Sequence, residues 1–400
     1  MLYSLTKYAR FTAVFISISV LDSSHSLASK TSTNPDKKEV ARPKIEVCFV
    51  LDTTGSMGGL IQGAKDKIWS IANELVNTEP TPEIKFSLIG YRDRTDDYVT
   101  KVTDLTDDLD AIHTTLMAFA ADGGGDSPES VNQALNESVS KISWTEGRQV
   151  LKIIFLVGDA PPHMDYKGEK QYPEICHLAV KNDLIINAIQ CGRDAKTASI
   201  WQEIARKSEG SFAAIQQNGG TVAIATPFDA EISKYNHVIN STVVGYGTPA
   251  QQIEVARKVT SNEKSSFEAQ ADRIAFMSKS ARIAGGGLGG GGGRAIGGEN
   301  DLVELLINDK LAMDEIEVDQ LPPDLKKLSE KEQQVELQKR IDLRKENRKK
   351  VDELIRNRSD YIANQNKNME KKDRDSFDAK VKAMIRKQAA TRGIEYSKSK

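Results

Sequence analysis

Between residues 44 and 215 the chain alternates short, β-rich apolar runs with longer stretches in which apolar residues recur every three or four positions. Ile45–Leu51, Ile84–Gly90, Val150–Val157 and Leu184–Gln190 are almost continuously apolar, as strands covered on both faces must be, and Gly210–Ile215 adds a fifth strand. Tyr98–Thr103 alternates polar and apolar positions and predicts a short edge strand. Between these runs, three sets of residues fall at helical spacing: Leu60, Ala64, Ile68, Ile71 and Leu75; Leu109, Ile112 and Leu116; and Val131, Leu135 and Val139. Strands that alternate with helices predict an α/β fold with three layers. Its doubly wound, mainly parallel, Rossmann-like sheet carries helices on both faces and a crevice at the carboxyl ends of the strands.

The pattern changes beyond residue 220. Ile232, Tyr235, Val238 and Ile239 predict a helix, and Ile253 to Met277 reads as one further amphipathic helix, so residues 221–283 form a helical extension. A glycine-rich linker occupies 284–300. A Leu/Ile-rich helix follows over Asp301–Met313, and Pro322-Pro323 ends that stretch. At Ser329 the Ser-x-x-Glu332 spacing of a capping box opens a helix of about 40 residues, whose polar centre, Arg344–Lys350, suits a long helix packed at its ends better than a regular coiled coil. The last helix aligns Phe377, Val381, Met384 and Ile385 on one face and stops at Gly393. Its stripe needs a cover, either the preceding helix or another molecule. Residues 301–400 together are a charged helical C-terminal region.

Charge sharpens this division. Residues 325–400 hold 23 basic against 13 acidic residues, within a chain whose net charge is −2. The signs alternate along a helical pattern with no interleaved aromatics, which describes a solvated helix surface and argues against nucleic-acid binding. At the other end, Lys7 and Arg10 precede an apolar stretch from Phe11 to Leu21 and then Ser26-Leu27-Ala28. That order is the one a secretory signal peptide has over residues 1–28, the other reading being an uncleaved anchor. Residues 29–43, rich in Ser, Thr, Lys and Pro, form a linker. The expected location is therefore secreted or periplasmic, with no membrane span once the signal is cleaved. Three cysteines are too few for a disulfide framework, and none has zinc-site spacing. Cys48 lies in the first strand as a buried thiol. Cys176 and Cys191 flank a helix-to-strand crossing and are expected to pair in an oxidising compartment, with two independent thiols as the alternative.

The candidate chemistry sits at the carboxyl ends of the strands. Asp52-Thr53-Thr54-Gly55-Ser56 follows the first strand, and its carboxylate and two hydroxyls at i, i+2 and i+4 can converge on one point. Val157-Gly158-Asp159 sets a second carboxylate on the same rim, and Asp122-Gly123-Gly124-Gly125-Asp126-Ser127-Pro128-Glu129 offers a third. Oxygen donors without His or Cys select a hard divalent cation, Mg²⁺ first and Ca²⁺ or Mn²⁺ next. Arg92 and Asp93 read as a structural ion pair beside the site, and His163 and Asp165 as loop residues.

With these motifs the chain resembles the von Willebrand factor type A family across about 170 residues, 44–220. The resemblance implies a metal-ion-dependent adhesion site in which Asp52, Thr54 and Ser56 match a DxSxS turn and Asp159 the later Asp. The loop that supplies Thr in the family carries Asp126 here, with Ser127 as the alternative ligand. An added carboxylate strengthens cation binding and weakens the pull on an acidic partner. Tyr91-Arg92-Asp93, Asp159-Ala-Pro-Pro and Gln190-Cys191-Gly192 are also similar to secreted bacterial proteins of this family.

Enzyme chemistries lack their residues. An aspartyl-phosphate phosphatase needs an acid two positions after its nucleophile, where this chain has Thr54, and the glycine run before Arg294 is no phosphate loop. The expected function is thus non-enzymatic: an adhesion-type module that binds a protein partner through the metal site, the C-terminal helices or both. An envelope scaffold with a structural metal is the alternative, and a metal-assisted hydrolase ranks below it.

Overall fold

In the central strand β1 (Lys44–Asp52), Ile45, Val47, Phe49 and Leu51 point into one apolar cluster and Cys48 and Val50 into another. This period of two is what a strand buried on both faces requires. The computed structural model describes residues 42–79, 81–125, 127–220, 224–283, 298–368 and 376–396. The signal segment, most of the linker after it, nearly all of the glycine run and Asp126 lie outside the described residues.

The chain continues through α1 (Gly58–Leu75), β2 (Thr78–Glu79), β3 (Glu83–Tyr91), β4 (Thr100–Thr106), α2 (Leu109–Ala118), α3 (Val131–Ser140), β5 (Val150–Gly158), α4 (Tyr172–Lys181), β6 (Leu184–Cys191), α5 (Ala195–Lys207) and β7 (Phe212–Ile215). Six strands form one sheet in the order β4-β3-β1-β5-β6-β7, parallel except for the antiparallel edge strand β4. Helices α1 and α2 cover one face, and α3, α4 and α5 the other. The α/β, three-layer, mainly parallel fold expected from the periodicity is the one observed.

A helical layer follows: α6 (Asp229–Ser241), α7 (Pro249–Glu263), α8 (Phe267–Ile283), α9 (Leu302–Ile307), α10 (Pro323–Lys326), α11 (Glu330–Asn368) and α12 (Phe377–Thr391), before β8 (Glu395–Tyr396) pairs with β2. The described residues from Arg42 onward form one compact unit. Helix α8 packs on α1 and α7 on α2, while α6, α8 and α11 share a cluster that includes Ile232, Ile274 and Ile355. Two expectations change here. The stretch from Ile253 to Met277 is two helices, because Thr248 and Gln251 cap α7 reciprocally and the Ser266 hydroxyl accepts from the Ala269 amide to start α8. The helix at Asp301 ends at Ile307, two residues before Asp309 turns to φ 53.

The C-terminal stripe is covered by neither expected partner. Phe377, Val381, Met384 and Ile385 join the cluster on the α1 face of the sheet, and the Phe377 ring lies 6.3 Å from that of Phe49. The sheet and α1 bury this face, so the last helix is a third helix of that layer. Nor do Cys176 and Cys191 pair. Cys176 belongs to the cluster on the α3 face and Cys191 to the one on the α1 face, so the sheet separates them, and all three cysteines are free and buried.

Candidate metal site

Asp52, the last residue of β1, stands in register with Tyr91 of β3, and Gly158 ends the neighbouring β5. These three positions put the turn Thr53–Ser56 above the centre of the sheet, where the strand order diverges and a crevice must open. Asp52 is fully buried, and its Oδ1 accepts from the Thr54 amide at 2.9 Å and the Thr54 hydroxyl at 2.6 Å. The Thr54 and Ser56 hydroxyls lie 3.4 Å apart. Asp52 Oδ2 is buried without a hydrogen-bond partner among the described residues.

The second loop is stitched to this turn by its backbone. Asp122 N–H donates to Thr53 O, and Gly55 N–H to Gly123 O. Close approach depends on Gly124, at φ +70, where a Cβ would stand 2.7 Å from Thr54 Cβ and 3.3 Å from Glu129 Oε1. Glu129 is held in turn by a bridge to the loop after β5: its amide donates to Pro161 O and its carbonyl accepts from the His163 amide. Its side chain is buried beside the site, and Oε2 has no hydrogen-bond partner among the described residues.

Burial pushes the Asp52 carboxyl up to about 7 against the opposing pull of its two Thr54 hydrogen bonds, and the Asp159 charge raises it while the Asp159 amide lowers it. Glu129 is pushed up to about 9, first by burial and then by Asp52, Asp93, Asp96 and Asp159. These carboxyls destabilise one another's charge, which is the electrostatic situation a cation relieves. Asp159 itself is half-buried, and its Oδ2 accepts from Gln217 Nε2 at 2.6 Å. Among the described residues no three His, Cys, Asp or Glu side chains form a metal-holding group. The donors that converge mix carboxylates with hydroxyls, the set suited to a hard cation.

Of the five residues singled out from sequence, Asp52, Thr54 and Ser56 are joined by short contacts, and Asp159 is on the same rim. Asp126 lies outside the described residues, while Ser127, the alternative donor, is exposed. Glu129 and Tyr91 were missed as site residues. Arg92 and Asp93 do not pair with each other. Arg92 binds the carbonyls of Thr53 at 3.1 Å and Ala120 at 2.8 Å, clamping the first two loops together. Asp93 accepts from Ser130 Oγ at 2.8 Å and from the Tyr166 hydroxyl at 2.7 Å. His163 and Asp165 meet at 2.8 Å, with the imidazole stacked on Tyr166, so these loop residues brace the third loop.

A family model described as von Willebrand factor A domain matches residues 46–227. An ariadne-like RING finger protein of Acanthamoeba polyphaga mimivirus is 24% identical over 146 residues, which are 36% of this chain and 14% of that protein. Among solved structures, proximal thread matrix protein 1 from the mussel byssus, in a form with a zinc-occupied MIDAS motif, aligns with TM-score 0.36 and 19% identity over 44% of this chain and 43% of that one. The SpRpn10 VWA domain aligns with TM-score 0.34 and 14% identity over 44% of this chain and 89% of its own. The chain thus spans a small part of the viral protein and less than half of the mussel protein. With its six-stranded sheet and its rim turn Asp52-x-Thr54-x-Ser56, the segment 46–227 is the part of the chain that matches the von Willebrand factor A domain.

Proposed function

We propose that this chain is an exported, non-catalytic binding protein whose von Willebrand factor A domain holds a divalent cation and offers it to an oxygen donor of a protein partner. The observation that carries the reading is the Asp52 carboxyl, fully buried, tied to Thr54 through one oxygen and without a hydrogen-bond partner among the described residues at the other. A buried carboxylate in that state is costly unless a positive charge comes beside it. Asp52, Thr54, Ser56, Asp159 and the second loop, through Asp126 or Ser127, would hold the ion, and Glu129 adds a carboxylate. When bound, the cation supplies positive charge and a coordination position for a partner's oxygen. Mg²⁺ suits this donor set, and Mn²⁺ and Ca²⁺ share its chemistry. So many carboxylates offset the charge of a divalent ion, so the reading favours a neutral oxygen donor over an acidic one.

The basic, apolar and small-residue order of residues 1–28 supports export to the periplasm or beyond. Among the described residues no helix is long and apolar enough to cross a membrane. A scaffold role through the helical tail is favoured by one observation: Val335 and Leu343, both exposed, line a shallow groove along α11.

Titration calorimetry tests the main reading. Mg²⁺ or Mn²⁺ should bind the wild-type chain and fail to bind Asp52→Ala, and a wild type that takes up no divalent cation sinks it. Capture of a partner from envelope extract that EDTA reverses distinguishes the adhesion-type module from the scaffold. Turnover of ester substrates would instead point to a hydrolase.

A further inference from the structure

Tyr91 ends β3 beside Asp52, is fully buried, and has a hydroxyl with no partner among the described residues. Gly158 locates that hydroxyl. A Cβ added there would stand 2.5 Å from Tyr91 Oη and 2.9 Å from Asp52 Oδ2. The two oxygens therefore converge beside the Gly158 backbone, within about 3 Å of a common point, without bonding to each other. A single oxygen atom between them could meet both at ordinary hydrogen-bond length, about 2.8 Å.

Packing does not account for the hydroxyl. The ring sits in the apolar cluster with Val50, Ile89 and Ile154, a place phenylalanine fills equally well. An unpaired buried hydroxyl, by contrast, costs about 1–3 kcal/mol.

We infer that the Tyr91 hydroxyl is a positioning group for the metal site, donating, through one bound oxygen, to the side of the Asp52 carboxyl that Thr54 leaves free. The inference rests on the metal reading above. Oδ1 would then be fixed by Thr54 and Oδ2 by Tyr91, so that the carboxyl meets a cation in one orientation. Burial, followed by the charges of Asp52, Glu129 and Asp159, holds the phenol well above its ordinary range, so it acts as a neutral donor. Donors behind a metal ligand of this kind change metal affinity by about 10–100-fold when removed.

The test is Tyr91→Phe in the full chain, with Mg²⁺ binding followed by calorimetry and melting temperature recorded in EDTA. Affinity should fall about 10–100-fold, while the melting temperature in EDTA holds because the phenylalanine ring keeps the apolar packing of Tyr91. Unchanged affinity overturns the inference, as does an affinity loss matched by a lower melting temperature in EDTA, which marks a merely structural role. A second measurement needs no variant: Mg²⁺ titration of the wild type should perturb tyrosine ultraviolet absorbance with the calorimetric midpoint, and no perturbation also overturns it. Wild type that binds Mg²⁺ alongside an unaffected Tyr91→Phe sinks this inference alone, whereas wild type that binds no cation removes the metal reading as well.

Discussion

Arg273 of α8 grips Asp110 of α2 with two hydrogen bonds, Nε to Oδ1 at 2.7 Å and Nη2 to Oδ2 at 2.8 Å, and both side chains are buried. The same guanidinium donates to Asn236 Oδ1 of α6 at 3.1 Å. One residue of the C-terminal half thus ties the helical layer to a helix of the sheet domain. A buried pair of this kind gains little over an apolar replacement, but breaking it strands a charge at a cost of about 3–5 kcal/mol. Asp110→Ala should therefore destabilise the chain by about that amount, and Asp110→Ala combined with Arg273→Met by clearly less. Urea denaturation of the three proteins decides it, and additive losses would show that the pair is not coupled.

A bound cation should be visible as stability. With free metal at about a hundred times its dissociation constant the gain is about 2.7 kcal/mol, so the melting temperature should rise with Mg²⁺ and fall back with EDTA. Asp52→Asn should abolish the rise and, in EDTA, melt at or above the wild type, because one of the mutually repelling buried carboxyls is gone. A metal-induced rise that persists in Asp52→Asn would remove Asp52 from the site.

The pH dependence has a definite sign. Asp52 and Glu129 hold their protons up to about 7 and about 9 in the folded chain, against ordinary carboxyl values near 4 when unfolded. The folded state therefore binds more protons across that window, and stability contributed by these groups is full below the unfolded values and lost as pH rises through the folded ones. In EDTA the melting temperature should decline from pH 5 to pH 9 more in the wild type than in Glu129→Gln. With saturating Mg²⁺ the decline should shrink, since the ion replaces the protons. Parallel curves for wild type and Glu129→Gln in EDTA would contradict the assignment.

The sheet was legible in the sequence because β1, β5 and β6 are covered on both faces and so read as apolar runs, and Asp52, Thr54 and Ser56 because their spacing lies within one turn. Glu129 and Tyr91 reach the site only through tertiary pairing, Glu129 by its bridge to the loop after β5 and Tyr91 by its register with Asp52. Both stand in stretches that the sequence singles out, Tyr91-Arg92-Asp93 and the loop ending in Glu129, but no local pattern turns their side chains towards the site. The break between α7 and α8 was hidden for another reason: helix-favouring residues run through it, and the interruption rests on the Ser266 cap. Cys176 and Cys191 seemed close along the chain, but helix α4 and strand β6 carry them to opposite faces of the sheet.

That separation fixes a thiol count. Denatured, non-reduced protein should titrate three free thiols per chain, since Cys48, Cys176 and Cys191 are all unpaired. Native protein should react slowly, because burial raises the pKa of each thiol and thiolate is the reactive form. A count of one thiol after denaturation would mean that the chain folds with a bond this arrangement forbids.

The stripe on the last helix could be seen in the sequence, but its partner could not, because Phe49 lies more than three hundred residues earlier in the chain and the last strand of the sheet more than one hundred and fifty. Phe377 is 2% exposed, and its amide also donates to Gly219 O in the loop after β7, so the residue anchors α12 to the sheet through both ring and backbone. Truncating a buried Phe removes its apolar burial and leaves a cavity in a close-packed core, at a typical cost of about 3–5 kcal/mol. Phe377→Ala should lower the stability of the whole unit by that much in a single cooperative transition. If α12 were instead a tail covering another molecule, the substitution would leave thermal unfolding of the isolated chain unchanged and act only on partner binding. Calorimetric unfolding of the two proteins at equal concentration separates these outcomes.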